Sequence, residues 1–300
     1  MNDCIVGNEI FKLTNAIKGI KIDCLLTQFG YASFISNHDK PYNRRLAVEK
    51  KMLQIKEQIS FFNPEFVIPF ASFIFFSHVE NFYMNDEQSD IEKVAQVINN
   101  EKTIPIILYP NDIFKFKKID NTKAIRLYKK DKSNIKPLHN SYNIDFNKLQ
   151  VHAKSYCDRV MKFHGKFTKA YIMFLSTIFK LLGKNPFNKV TFFISDISKF
   201  ATFDITQGLF LATKPIKADI ILSSESLKYV FDYDWGMGTL LVNARFQVKN
   251  EISKLLFIRV FYLGDLKNRG ISLSKNPLLI FSREKKIFKL EPINLFLERR

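Results

Sequence analysis

The sequence predicts an α/β fold over residues 1–114, followed by an α+β lobe. Three observations predict it. Short apolar runs of strand length alternate with amphipathic stretches up to about residue 110, a Lys-rich segment then interrupts the pattern, and beyond it strands and helices stop alternating one for one. At 300 residues the chain has room for two cores.

Residues 8–18 carry Ile10, Leu13 and Ile17 on one side, with Gly19 where a helix would end. Residues 22–27 (IDCLLT) form a strand-length apolar run. Residues 44–62 are the clearest helix, because Val48, Met52, Ile55, Ile59 and Phe62 recur at 4-3-4-3 spacing and Asn63-Pro64 stops them. Residues 66–70 (FVIPF) read as the next strand. The pattern Ser89-Asp90-Ile91-Glu92 is a capping box opening a helix with Ile91, Val94, Ala95 and Ile98 on one side. Residues 104–109 (IPIILY) form the following strand, closed by Pro110-Asn111-Asp112. Strands separated by helices in this way predict a buried sheet with crossover helices.

Residues 115–150 read as a basic connector. Within 115–136 nine Lys and Arg face Asp120 and Asp131, a net of 9 − 2 = +7. Residues 151–300 form the α+β lobe. In it, residues 151–183 read as one or two helices and 190–213 as a hairpin. Residues 218–231 read as a strand entering a short helix capped by Ser223 or Ser224. Residues 235–248 read as a Gly-opened strand and 250–263 as a helix.

The composition excludes several functional classes. No run reaches the ~18–20 apolar residues of a membrane span; the nearest, 170–182, is too short and carries Lys180. The opening MNDCIVGNEI lacks a basic region ahead of an apolar core, so no secretory signal is expected. Three cysteines without CxxC spacing argue against a disulfide scaffold or a Cys-ligated zinc finger and fit a reduced, cytoplasmic setting. The formal charge is +17, yet only 10 of the 46 basic residues are Arg. Nucleic-acid readout leans on Arg forks, so a nucleic-acid partner is not expected.

Chemistry-bearing patterns are sparse. No two of the five histidines lie within five residues of each other, so HxH and HExxH are absent, as are GxSxG, Walker and GxGxxG motifs. Two clusters stand out. Asn2-Asp3-Cys4 places a carboxylate before the first α/β unit. Residues 69–86 (PFASFIFFSHVENFYMND) run from a strand end into Ser72, Ser77, His78, Glu80, Asn81, Asn85 and Asp86, set among aromatics. Loops after strand ends are where α/β folds place ligands. Ser72, Ser77, Glu80, Asn81, Asn85 and Asp86 are the ligand-pocket candidates, with a catalytic residue unassigned.

The ordered phrases NDC, IDCLLTQFGYASF, FNPEFVIPFASFIFFSHVENFYMND and IILYPND, followed by DYDWGMGTLLVNARF, resemble the later half of metallo-β-lactamase-fold hydrolases. The branch is the one holding lactonase-like and CMP-sialic-acid-hydroxylase-like proteins. The resemblance covers residues 1–112 and a tail near 232–246; residues 218–246 are also similar to sterol-carrier-like domains. It implies part of an αββα sandwich, with zinc as cofactor and a metal-bound hydroxide attacking the substrate. It also implies that Asp3 is the metal-bridging aspartate and His78 the late histidine ligand. Simpler relatives carry that histidine directly after the strand, where this chain has Phe70 and Ala71. The main HxHxDH motif has no counterpart here. The resemblance therefore implies a hydrolase fragment or split subunit, inactive alone, acting on a small-molecule substrate. It would be completed by a companion chain with the N-terminal half or by a homo-oligomer. The alternative is a non-catalytic binding or scaffold module derived from the same fold.

Overall fold

The computed structural model describes residues 17–139, 143–181, 189–212 and 217–275. Asp3 and the helix expected over 8–18 lie outside these, apart from the turn at 17–19 that contains Gly19. The described residues are mixed α/β with two sheets, divided between two compact units that meet in sequence at Leu138 and His139.

The first unit is built on three parallel strands in the order β1 (Cys24–Thr27), β2 (Phe66–Pro69) and β3 (Ile104–Pro105). The register places Cys24 beside Phe66 and Phe66 beside Ile104. Helix α1 (Pro41–Phe62) joins β1 to β2, and α2 (Ile91–Asn100) joins β2 to β3. The pleat sends alternate residues to opposite faces. Leu25, Val67 and Ile107 meet Ile55 and Ile59 of α1 and Ile91, Val94 and Ile98 of α2. On the opposite face Phe66, Ile68 and Ile106 are covered among the described residues by Phe114 and Ile119 rather than by a helix.

Two local readings are corrected. Asp90, not Ser89, caps α2: its Oδ1 accepts the Glu92 N–H at 2.8 Å. The run 104–109 pairs only over two residues: the Ile106 N–H still donates to the Val67 carbonyl at 2.9 Å, but Pro69 has no N–H to continue the ladder, and the Ile107 and Tyr109 N–H groups, on the edge away from β2, go to Asn121 Oδ1 and Asp112 Oδ2. The basic segment contains helix α3 (Thr122–Asn134), whose Ala124, Ile125 and Tyr128 pack on the core shared by α1 and α2.

The second unit opens with α4 (Phe146–His164) and α5 (Thr168–Leu181). A five-stranded sheet follows in the order β6-β5-β4-β7-β8, with β4 (Lys189–Ile194), β5 (Lys199–Asp204), β6 (Gly208–Leu211), β7 (Ile220–Leu222) and β8 (Phe246–Val248). All pairings are antiparallel except β4 with β7. Ser223 caps α6 (Ser224–Asp232), and Asn250 caps α8 (Glu251–Val260), which is followed by α9 (Tyr262–Asn268). The strand expected over 235–248 is instead helix α7 (Gly236–Asn243) closed by Ala244 at φ 58°, with only Phe246–Val248 extended. Val190, Phe192, Phe203, Ile220 and Phe246 bury one face of the sheet, where Phe203 and Phe261 stack 5.1 Å apart and Tyr156 and Phe231 join them. No helix among the described residues is long and apolar enough to cross a membrane.

Candidate functional site

The carboxyl ends of β1 and β2 open into loops that interlock through side-chain to backbone hydrogen bonds. Ser72 is buried, and its Oγ accepts the N–H groups of Phe29 and Gly30, each at 3.0 Å. The approach is close enough that a Cβ on Gly30 would lie 3.3 Å from the Ser72 Cβ. At the end of β1, Thr27 Oγ1 donates to Gln58 Oε1 of α1 at 2.5 Å. Strand ends and loops are therefore fastened to each other and to the helix behind them.

Asn85 ends a 3₁₀ turn, Phe82–Asn85, and holds the 69–86 loop closed. Its Oδ1 accepts the Phe76 N–H at 2.9 Å, while Nδ2 donates to the carbonyls of Phe76 and Phe82 at 2.8 Å each. Asn81 Oδ1 accepts the His78 N–H at 2.8 Å. The backbone on either side of His78 pairs with Leu138: Leu138 N–H donates to the Ser77 carbonyl at 2.7 Å, and Val79 N–H to the Leu138 carbonyl at 3.0 Å. Glu80 is half-buried and Asp86 exposed. Of the ligand-pocket candidates, Ser72, Asn85 and the Asn81 Oδ1 are engaged by backbone partners, in keeping with the need of buried amides and hydroxyls for hydrogen bonds. Their density in an apolar stretch marks a loop held by its own side chains.

Arg44 is the residue that the sequence reading missed. It is 1% exposed, at the start of α1 beneath the loop that follows β1. Its Nη1 donates to Asn37 O at 2.6 Å and Ser36 Oγ at 3.3 Å, and its guanidinium lies 5.0 Å from the centre of the Tyr83 ring. Tyr83 in turn donates to the Ser36 carbonyl at 3.3 Å. Burial pushes the Tyr83 phenol up to about 12, against the pull of the Arg44 charge. Burial likewise raises Tyr31, whose hydroxyl donates to the Met84 carbonyl at 2.5 Å. Arg44 makes no ion pair with a described carboxylate, and its Nε is buried without an acceptor. One signal in the sequence could have found it: Arg44 stands four residues before Val48 and so continues the apolar spacing of α1.

The zinc expectation meets a test here. Among the described residues no three His, Cys, Asp or Glu side chains converge as metal ligands. His78 lies beyond β2, in the loop, and Asp3 is outside the described residues. The described donors do not by themselves fit a zinc site, which needs at least three protein ligands. Comparison with protein-family models, with characterised proteins and with solved structures finds no match to this chain.

Proposed function

We propose that this chain is part of a metallo-β-lactamase-fold, metal-dependent hydrolase whose HxHxDH motif lies outside these 300 residues, so that the chain alone does not hydrolyse substrate. The observation that carries this reading is the element order β1-α1-β2-α2-β3 in one parallel sheet, with the 69–86 phrase at the carboxyl end of β2. With α1 and α2 packed on one face of that sheet, the unit is compatible with one helix layer and one sheet layer of the αββα sandwich that the resemblance implies. No catalytic step is assigned to the described side chains, since they do not complete a ligand set. The test is reconstitution. The chain is mixed with a polypeptide carrying the HxHxDH half, and hydrolysis of lactone and phosphoester panels is followed. Activity in the mixture and none in either part is the expected result; activity in the chain alone, or none in any combination, refutes it.

Arg44 favours a second reading, a non-catalytic binding module for a small anion. A buried guanidinium without a carboxylate is costly and suits an anionic ligand. Calorimetric titration with phosphate and small carboxylates tests this, and binding that survives Arg44→Met rules it out.

A further inference from the structure

Helix α5 buries one side and exposes an apolar other side. Thr168, Ile172, Leu175 and Ser176 face the unit's interior. Against them, Phe167 is 86% exposed, just ahead of the helix, with Phe174 at 63% and Leu181 at 82%. At 100° per residue, Phe167, Phe174 and Leu181 fall within about 40° of one another, opposite Ile172. Lys166, Lys169 and Lys180 line the flank between the two faces and are exposed, and none pairs with a described carboxylate. From residue 159 to 195 the sequence holds seven basic residues, Arg159 through Lys189, and no Asp or Glu.

We propose that α5 lies in the headgroup region of an anionic phospholipid bilayer, with Phe167, Phe174 and Leu181 inserted and the flanking lysines on lipid phosphates and carboxylates. An interfacial helix needs an exposed apolar face beside cationic side chains, and it does not need the length of a span. The 14-residue helix has that pattern and is too short to cross. Charge complementarity selects the occupant. A second copy would bring one acid-free basic segment against another and be repelled. Nucleic acid offers no apolar phase for Phe and Leu, and the exposed cations are lysines rather than the forked arginines that read phosphates and bases. An anionic bilayer supplies the negative surface and the apolar layer together.

The test is flotation of the full chain with large unilamellar vesicles of phosphatidylcholine alone and with about a third phosphatidylserine, at low and high salt. Binding is expected to the anionic vesicles only and to weaken with salt. Phe167→Ser/Phe174→Ser is expected to lose roughly tenfold or more in partitioning, because the apolar contact is gone. Its circular dichroism and thermal midpoint should match the wild type, since both side chains are solvent-exposed. Depth is read separately with Phe174→Trp in a Trp235→Phe background, whose emission should shift to the blue on anionic vesicles. Absence of binding to either vesicle overturns the proposal. So does equal binding by the double serine variant, a salt-resistant dimer that occupies the face, or binding to DNA in preference to vesicles.

Discussion

Replacing Asn85 by Asp keeps the shape of the side chain and reverses one half of its chemistry. The amide donates two hydrogen bonds at 2.8 Å, to the carbonyls of Phe76 and Phe82, and accepts one from the Phe76 N–H at 2.9 Å. In Asn85→Asp the accepted bond survives, but a carboxylate oxygen faces two carbonyl oxygens. Two net hydrogen bonds of about 1 kcal/mol each are lost, and buried acceptors are left unpaired at about 1–3 kcal/mol, so a loss of about 3 kcal/mol is expected at neutral pH. The loss carries its own pH dependence. Burial and the facing carbonyls raise the folded pKa of the introduced carboxyl above the unfolded value near 3.9. The unfolded state then releases its proton first as pH rises, so the variant's deficit is smallest below about pH 4 and grows towards neutrality. Urea unfolding of wild type, Asn85→Asp and the exposed control Asp86→Asn, followed by far-ultraviolet circular dichroism across that range, measures it. A deficit below about 0.5 kcal/mol, the level of an ordinary surface substitution, or one that shrinks as pH rises, would refute the idea that Asn85 holds the loop.

Three further outcomes follow from the same reasoning. Ser72→Ala removes the shared acceptor of the Phe29 and Gly30 N–H groups and should cost about 2–3 kcal/mol by the same denaturation assay. Gly236→Ala places a Cβ 2.6 Å from the Tyr229 carbonyl oxygen and 2.8 Å from the Val230 Cα, both backbone atoms, so a loss of about 2 kcal/mol or more should appear in the thermal midpoint. His164 donates from Nε2 to the Leu263 carbonyl at 2.8 Å and accepts the Leu273 N–H on Nδ1 at 3.2 Å, and burial lowers its pKa below the usual value. With the folded pKa depressed, this contribution is present above the unfolded value near 6.5 and is lost as pH falls from there towards the folded pKa. His164→Gln should flatten that part of the stability profile.

Much of the backbone could be read from residue spacing, and the failures have local physical causes. The 4-3-4-3 run from Val48 to Phe62 marked α1 because one face had to meet the sheet, and the Ser223-Ser224 pair marked the start of α6, where it is the Ser223 hydroxyl that completes the first turn. Residues 235–248 read as a strand because Leu240-Leu241-Val242 is a continuous apolar run with glycines before it. Gly236 is instead needed for a helix entry pressed against the backbone of Tyr229 and Val230. In 104–109, Pro69 of β2 has no N–H to continue the ladder past Ile106, and the outward N–H groups of Ile107 and Tyr109 go to Asn121 and Asp112, of which Asn121 lies 14 residues from Ile107. The 69–86 cluster was visible as polar density. Its purpose was not, because Ser72 serves N–H groups 42 and 43 residues away, which no local pattern encodes. Arg44 hid as a basic residue in a basic chain, although its register placed it on the buried side of α1.

The central proposal is that this chain belongs to a metal-dependent hydrolase whose metal site is assembled only when an HxHxDH half joins these 300 residues. Elemental analysis of zinc per chain, after loading and exhaustive dialysis, tests it most directly when run on the chain alone and on its complex with that half. Less than one equivalent is expected on the chain alone and at least one, removable by chelator, on the complex. Stoichiometric, chelator-sensitive zinc on the chain alone would contradict it, as would a complex that retains no more zinc than its separate parts.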